Sequence, residues 1–279
     1  MLAGCGGGSG ADAGAGTGTG AGSEPAAGAV TTLSCAPDAS ATTALGRLHN
    51  NTWNRQAVGS QAWQQCLQQR GSGAALEVGW TWQWPANAGT VLAYRSLVLG
   101  AKPWEPGPGN DARFPRRIDS LNRLLLSHEL STSATGQYNL AWSLWLTRSA
   151  SVANPPDVTA ITGEVMVWAG AGSGDWTGGR LPDAQINIDG VAWQVYMVPN
   201  QGDASGGSNH RWVYVAYVAP LAGSAAGGSF SVDARKLLAD AQARGWVSAQ
   251  HHVASVELGN EIAGGSGSTW VRRFAVTMD

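Results

Sequence analysis

The chain has 279 residues, of which 13% are charged, and its formal net charge is −2. This balance excludes the basic footprint expected of a nucleic-acid binder, and no apolar run reaches the roughly 18–20 residues that a membrane-spanning helix needs. The composition stands out for its 14 Trp and 39 Gly. Abundant glycine suits short strands joined by tight turns, and aromatic side chains offer flat surfaces on which neutral sugar rings stack. An all-β carbohydrate-active protein is therefore favoured.

The first thirty residues differ in composition from the rest of the chain. Leu2-Ala3-Gly4-Cys5 resembles the lipobox of bacterial lipoproteins, which implies lipid attachment at Cys5. Residues 6–29 consist almost wholly of Gly, Ala, Ser and Thr, which predicts a flexible linker. We therefore predict a lipobox-like N-terminus and linker over residues 1–30 and one folded domain over residues 31–279. The chain is expected to be exported, either as a bacterial cell-envelope lipoprotein that meets the membrane only through this anchor or as a secreted protein with a disordered tail.

Three cysteines are present. With Cys5 assigned to lipid, Cys35 and Cys66 remain, and in an exported protein an even remainder predicts one disulfide, which would close a loop of about thirty residues. Two buried free thiols are the alternative. The histidines lack companion ligands at metal-binding spacing, so neither a metal site nor a cofactor is predicted.

From residue 45 onward, short runs rich in Val, Trp, Tyr and Leu are separated by clusters of Gly, Pro, Asn and Ser, which is the pattern of a β-sandwich. One segment breaks this pattern. Residues 232–244 carry Leu237, Leu238 and Ala241 on one face and Asp233 in the first turn, which predicts a single amphipathic helix. In chain order, the predicted strands cover residues 75–84, 90–99, 138–146, 163–169, 185–188, 191–198, 211–219, 252–261 and 269–278.

Alternation along these strands predicts which side chains share a face, because residues two apart on a strand point the same way. Val165 and Val167 are expected in the core, which places Glu164 on the opposite face. The same argument places Glu261 opposite the core residue Leu258. The sets predicted to share a face are Glu164, Met166 and Trp168; Glu257, Gly259 and Glu261; Asn139, Ala141 and Ser143; and Trp80, Trp82 and Trp84. A sheet face that carries acids, Trp, Met and Asn is typical of a substrate cleft.

Six segments, in order along nearly the whole domain, resemble motifs of glycoside hydrolase family 12, the small jelly-roll endoglucanases and xyloglucanases. They are Asn50-Asn51-Thr52-Trp53-Asn54, flanked by Cys35 and Cys66 where several members have a disulfide; Trp82-Gln83-Trp84; Tyr138-Asn139-Leu140-Ala141-Trp142-Ser143; Glu164-Val165-Met166-Val167-Trp168, similar to the family's nucleophile strand; Val191 to Tyr196; and Gly259-Asn260-Glu261, similar to its acid/base strand.

The resemblance implies a β-jelly-roll sandwich of two antiparallel sheets with a concave substrate cleft and one α-helix. It also implies a retaining endo-β-1,4-glucanase that acts on cellulose-type glucans or xyloglucan, and a monomer is expected. Glu164 would be the nucleophile and Glu261 the acid/base, an arrangement that requires carboxyl groups about 5 to 5.5 Å apart. The residues expected to bind the β-glucan are Asn51, Trp53, Trp82, Trp84, Asn139, Met166 and Trp168.

Three departures from the family pattern fall in the predicted cleft. Ser143 stands where the family usually has an aspartate beside the nucleophile, so Glu164 is expected to lose a partner that tunes its protonation. Ile262 replaces the usual proline after the acid/base. Glu257 falls where glutamine is common, and this extra acid is expected to raise the pKa of Glu261.

Two alternatives stay open on the same fold. The first is a non-catalytic glucan-binding module, which is suggested by the aromatic face and by the missing acid at Ser143. The second is a xylanase, since family 11 xylanases share the jelly roll and the paired glutamates. Met166-Val167-Trp168 after the nucleophile favours glucan over xylan.

Overall fold

The computed structural model describes residues 28–86, 89–105, 109–172, 180–203, 205–220 and 227–279. The predicted linker and Cys5 lie outside the described residues, apart from residues 28–30. The elements are β1 (Thr31–Ser34), β2 (Ser40–Thr43), β3 (Gly46–Asn51), β4 (Gln64–Arg70), β5 (Glu77–Trp84), β6 (Ala93–Gly100), β7 (Arg116–Arg117), β8 (Leu124–Thr135), β9 (Asn139–Thr147), β10 (Ile161–Ala171), β11 (Ala184–Ile188), β12 (Val191–Gly202), β13 (Arg211–Val218), β14 (Gly227–Asp233), α1 (Ala234–Ala243), β15 (His252–Ile262) and β16 (Gly265–Met278).

The strands form two sheets. The smaller has the strand order β1-β4-β5-β16-β8-β14, and the larger has the order β11-β12-β13-β10-β9-β15-β6-β3-β2, with β7 paired to β15. Neighbouring strands are antiparallel, except that β10 and β13 run parallel. The predicted all-β fold of two mainly antiparallel sheets with one helix is confirmed.

The main core lies between the two sheets and is built by strand alternation. Val165 and Val167 of β10 are buried there, as are Val256 and Leu258 of β15. Each is one residue away from a side chain on the outer face of the larger sheet, because successive strand residues point to opposite faces. The acids of β10 and β15 are therefore held on the face of the larger sheet that turns away from the core.

The helix buries its predicted apolar face, since Leu237, Leu238 and Ala241 are fully buried. Asp233 lies just before the helix rather than in its first turn. Its side chain accepts a hydrogen bond from the Arg235 backbone N–H and so acts as the N-cap.

A disulfide joins Cys35, which follows β1, to Cys66 in β4. The predicted pairing is confirmed. The bridge joins the end of β1 to the neighbouring strand β4 of the smaller sheet, and its 31-residue separation closes a loop that contains β2 and β3 of the larger sheet.

Over the described part of the chain, no helix is long and apolar enough to cross a membrane. In the same residues, no group of three or more His, Cys, Asp or Glu side chains is arranged to hold a metal ion.

Candidate active site

A cleft of about 490 Å³ lies on the outer face of the larger sheet. Its floor is formed by side chains from β3, β6, β9, β10, β13 and β15, and its walls include residues from the loops after β3 and β6. Glu164 of β10 and Glu261 of β15 both line it. Strand β9 lies between these two strands, so the two acids reach the cleft from either side of a shared neighbour.

The Glu164 carboxylate is held by Ser143 from β9, whose hydroxyl donates to Glu164 Oε1 at 2.9 Å. Burial is the main reason that the pKa of Glu164 is raised to about 8, and the negative charge of Glu261 raises it further. The Ser143 hydrogen bond stabilises the ionised form and opposes this rise in pKa.

The Glu261 carboxylate is held by Asn139 at the start of β9. The Asn139 side chain donates from Nδ2 to Glu261 Oε2, and its Oδ1 accepts the Glu261 backbone N–H at 3.0 Å. Burial raises the pKa of Glu261 to about 7, and the Asn139 amide works against that rise. Since Asn139 is fully buried, the structure places it behind Glu261, where it orients the carboxylate rather than touching a ligand.

Glu164 and Glu261 titrate as a pair, because burial in the same cleft disfavours the charged form of both carboxyl groups. With the pKa of Glu164 near 8 and that of Glu261 near 7, the pair retains a proton at neutral pH. The tautomer with Glu164 ionised and Glu261 protonated is the one that can combine a nucleophile with an acid.

Glu257 does not raise the pKa of Glu261 as expected. The carboxylate is fully buried and is paired with the Lys102 ammonium at 2.8 Å, and the Ser96 hydroxyl donates to it at 2.7 Å. Its charge instead contributes to the raised pKa of Glu164. This follows from register, because Glu257 lies opposite Ser143 across β15 and β9, and Ser143 contacts Glu164.

Three of the predicted ligand-binding residues, Asn51, Trp53 and Trp168, line the cleft. Met166 shares their face but is 1% exposed, and the Tyr214 hydroxyl donates to its sulfur at 3.3 Å. Met166 therefore lies beneath the cleft surface and supports Tyr214.

The prediction that Trp82 and Trp84 contact substrate is wrong. Both are 3% exposed and belong to the core between the sheets, because β5 lies in the smaller sheet. The Trp84 ring stacks on Trp63 at 4.4 Å and donates to Gln65 at 2.9 Å, while Trp82 packs edge-on against Tyr138. The two residues do share a face, but this face is the inner one.

Sequence reasoning missed five aromatic residues that line the cleft, which are Tyr94, Trp104, Trp145, Trp212 and Tyr214. Trp145 could have been found, since alternation along β9 puts it on the face of Ser143, and in the sheet it lies directly opposite Glu164. Trp104 carries no such signal, because it lies in the loop after β6, where side chains follow no fixed period.

Comparison with known proteins agrees with this arrangement. A sequence model described as Glycosyl hydrolase family 12 matches residues 47–279. Endoglucanase S of Pectobacterium parmentieri is 27% identical over 233 residues, which are 82% of this chain and 80% of that protein. A family 12 xyloglucanase from Bacillus licheniformis, in complex with ligand, has a TM-score of 0.74 at 25% identity and covers 90% of this chain and 100% of that one. Endoglucanase cel12A from Rhodothermus marinus has a TM-score of 0.67 at 23% identity, covering 90% of this chain and 99% of that one.

The family match spans most of the chain and includes both strands that carry the paired acids. The chain therefore belongs to glycosyl hydrolase family 12 and is a glycoside hydrolase.

Proposed function

We propose that this protein hydrolyses internal β-1,4 bonds of a cellulose-type glucan or xyloglucan by double displacement, with Glu164 as nucleophile and Glu261 as acid/base. The observation that carries the proposal is the pair of glutamates on two strands of one cleft floor, whose raised pKa values let the pair hold a single proton at neutral pH. The names of the similar proteins, endoglucanase and xyloglucanase, support the substrate class.

In the first step, Glu164 forms a bond to the anomeric carbon while the glycosidic bond breaks and Glu261 gives its proton to the departing oxygen. In the second step, Glu261 removes a proton from water, the water oxygen bonds to the anomeric carbon, and the bond to Glu164 breaks. Asn139 holds the Glu261 carboxylate from behind through both steps, and the Ser143 hydroxyl stabilises the Glu164 carboxylate before attack and after release.

The test of activity is reducing-sugar release from xyloglucan, mixed-linkage β-glucan, carboxymethyl cellulose and xylan. We expect release from at least one glucan, and loss of that release in Glu164→Gln and in Glu261→Gln. Glu129→Gln is the matched control, since Glu129 is a strand glutamate of the smaller sheet. Glucan binding without release by the wild type would instead support a binding module, and release from xylan alone would support a xylanase.

The test of roles uses an aryl cellobioside with a good leaving group, which needs no acid to depart. Glu261→Ala is expected to form the glycosyl-enzyme readily and, with added azide, to release the β-glycosyl azide. Glu164→Ala with azide is expected to give the α-glycosyl azide by direct attack. Products of the opposite configuration in the two variants would exchange the assigned roles.

We also propose that the chain is exported as a monomer, either anchored by lipid at Cys5 or secreted. The Cys35–Cys66 disulfide supports export, because such bonds persist in oxidising compartments. Labelling of expressing cells with a fatty-acid analogue tests the anchor. Label that is present in the wild type and absent from Cys5→Ser is expected, and equal label in both would contradict lipidation at Cys5.

A further inference from the structure

The segment after β6 turns back over the outer face of the larger sheet. Lys102 is 1% exposed although it lies in a loop, and its Nζ is 2.8 Å from both Glu257 Oε2 and His49 Nδ1. By alternation, Glu257 shares the face of Glu261 and His49 shares the face of Asn51, so both belong to the cleft face. They are nevertheless buried, because the segment that contains Lys102 covers this part of the sheet.

A second set of contacts fixes the same segment three residues further on. Glu105 accepts from Arg47 at 2.9 Å and lies 2.8 Å from His49 Nδ1. It is also 3.4 Å from Lys102 Nζ. The loop is thus fastened at both ends by charged groups to β3 and, through Glu257, to β15.

Trp104 lies between these two anchors and lines the cleft. Its ring meets Trp145 edge-on at 4.1 Å between centroids, and Trp145 meets Trp212 in the same way at 5.6 Å. All three rings line one cleft, and Trp145 lies directly opposite Glu164 in the sheet. An aromatic wall therefore stands at the Glu164 end of the cleft, while Trp53 and Asn51 lie at the other end, in register with Glu261 through Tyr94.

We propose that Trp104, packed against Trp145, forms a subsite for a glucose ring of the glucan chain beyond the ring that Glu164 attacks, and that Lys102 is a positioning residue that holds Trp104 there. The inference rests on the proposed function and extends it to substrate length. A loop tryptophan that is already fixed loses little freedom when a sugar stacks on it, so preorganisation adds to affinity. Lys102, Glu257 and Glu105 supply that fixation without touching the sugar.

The experiment measures kcat and KM on cello-oligosaccharides of increasing length. Trp104→Ala is expected to lower kcat/KM about tenfold more on the oligosaccharides long enough to reach the subsite than on the shortest cleaved substrate. Trp104→Phe is expected to restore part of the loss. Trp246→Ala is the matched control, since Trp246 packs beside Arg244 after α1 and should change stability without changing the dependence on length.

The anchor is tested with Lys102→Met/Glu257→Gln, which removes both buried charges together, since Lys102→Met alone would strand a buried carboxylate. We expect the same length-dependent loss as in Trp104→Ala, carried mainly by KM, and little further loss when the two changes are combined. Glu105→Gln, at a partly exposed side chain, releases the other anchor and serves if the double variant does not fold.

The outcomes separate the inference from the function beneath it. A wild type that cleaves no glucan overturns the proposed function. An active wild type whose length dependence is unchanged by Trp104→Ala overturns the subsite. Anchor variants that melt at lower temperature yet keep the wild-type length dependence reduce the Lys102 network to a structural role.

Discussion

Ser143 opposes the effect of burial on the ionisation of the proposed nucleophile. Its hydroxyl donates to Glu164 at 2.9 Å and lowers the Glu164 pKa against the effect of burial. Ser143→Ala removes the donor with little change in shape, so the pKa of Glu164 should rise further, by up to about one unit. Glu164 must be ionised to attack, and its pKa already lies near 8, so we predict that kcat/KM at pH 7 falls several-fold in Ser143→Ala.

The same measurement at about pH 10 supplies the internal control. At that pH Glu164 is largely ionised with or without the hydrogen bond, and kcat/KM follows the remaining protonated Glu261, whose pKa is set by burial and by the Asn139 amide. An unchanged kcat/KM at pH 7 in Ser143→Ala, or an equal fall at both pH values, would show that the Ser143 hydrogen bond does not tune the nucleophile.

At the scale of the residue, alternation along the strands predicts the positions of charged side chains better than the exposure of apolar ones. Glu164 and Glu261 were placed on the cleft face because each alternates with core valine or leucine. Met166 was placed on the correct face, but alternation cannot tell a residue at the surface from one that Tyr214 covers. The burial of Lys102 could not be predicted from the sequence, since it depends on an ion pair with Glu257, which is distant in the chain.

At the scale of the element, β5 shows that the alternation of side chains along a strand does not predict which sheet the strand joins. Its bounds were predicted within two residues and its three tryptophans do share a face, yet the strand lies in the smaller sheet. Alternation fixes relative direction along one strand, whereas membership of a sheet depends on pairing with β4 and β16, which are far apart in the chain. Strand β8 alternates buried and partly exposed residues over most of its length and was missed, because its Ser, His and Glu weakened the apolar pattern.

The contribution of the disulfide, and of the loop that it closes, to the stability of the protein can be measured directly. It carries Asn51 and Trp53 of the cleft between Cys35 and Cys66. Loss of the bond frees this loop in the unfolded chain, so we predict that Cys35→Ser/Cys66→Ser loses about 4 kcal/mol of the free energy of unfolding. Denaturant titrations with and without a thiol reductant provide the measurement. The wild type should respond to reductant, and a double variant that responds equally would contradict the prediction.

At the scale of the whole molecule, the two sheets place an open cleft directly over a closed core. The larger sheet buries valine and leucine on one face and carries the paired glutamates on the other, so the acids are held by strands of the cleft floor rather than by loops. Its outer face is itself divided, because the Lys102 segment covers the part beside Glu257 and leaves the part beside Glu261 open. The extent of the cleft is therefore set by a loop with no regular pattern, which is why sequence predicted the floor better than the walls.

This arrangement makes global stability depend on pH. The pKa values of Glu164 and Glu261 are raised in the folded protein to about 8 and about 7, above their ordinary value of 4.5. A carboxyl group with a raised folded pKa binds its proton more tightly in the folded state, so its contribution is favourable at low pH and is lost as pH rises through the folded value. We predict that, through these two groups, the protein loses stability between about pH 5 and pH 8.

Glu164→Gln isolates the effect, because the amide resembles the protonated carboxyl group and cannot ionise. The variant should melt several degrees above the wild type at about pH 8, and the difference should shrink at about pH 5, where the wild-type pair is protonated. Glu129→Gln on the smaller sheet should shift the melting temperature equally at both pH values. If Glu164→Gln gave the same shift at both pH values, ionisation of Glu164 would not destabilise the folded state. The raised pKa on which the proposed acid pair depends would then be contradicted.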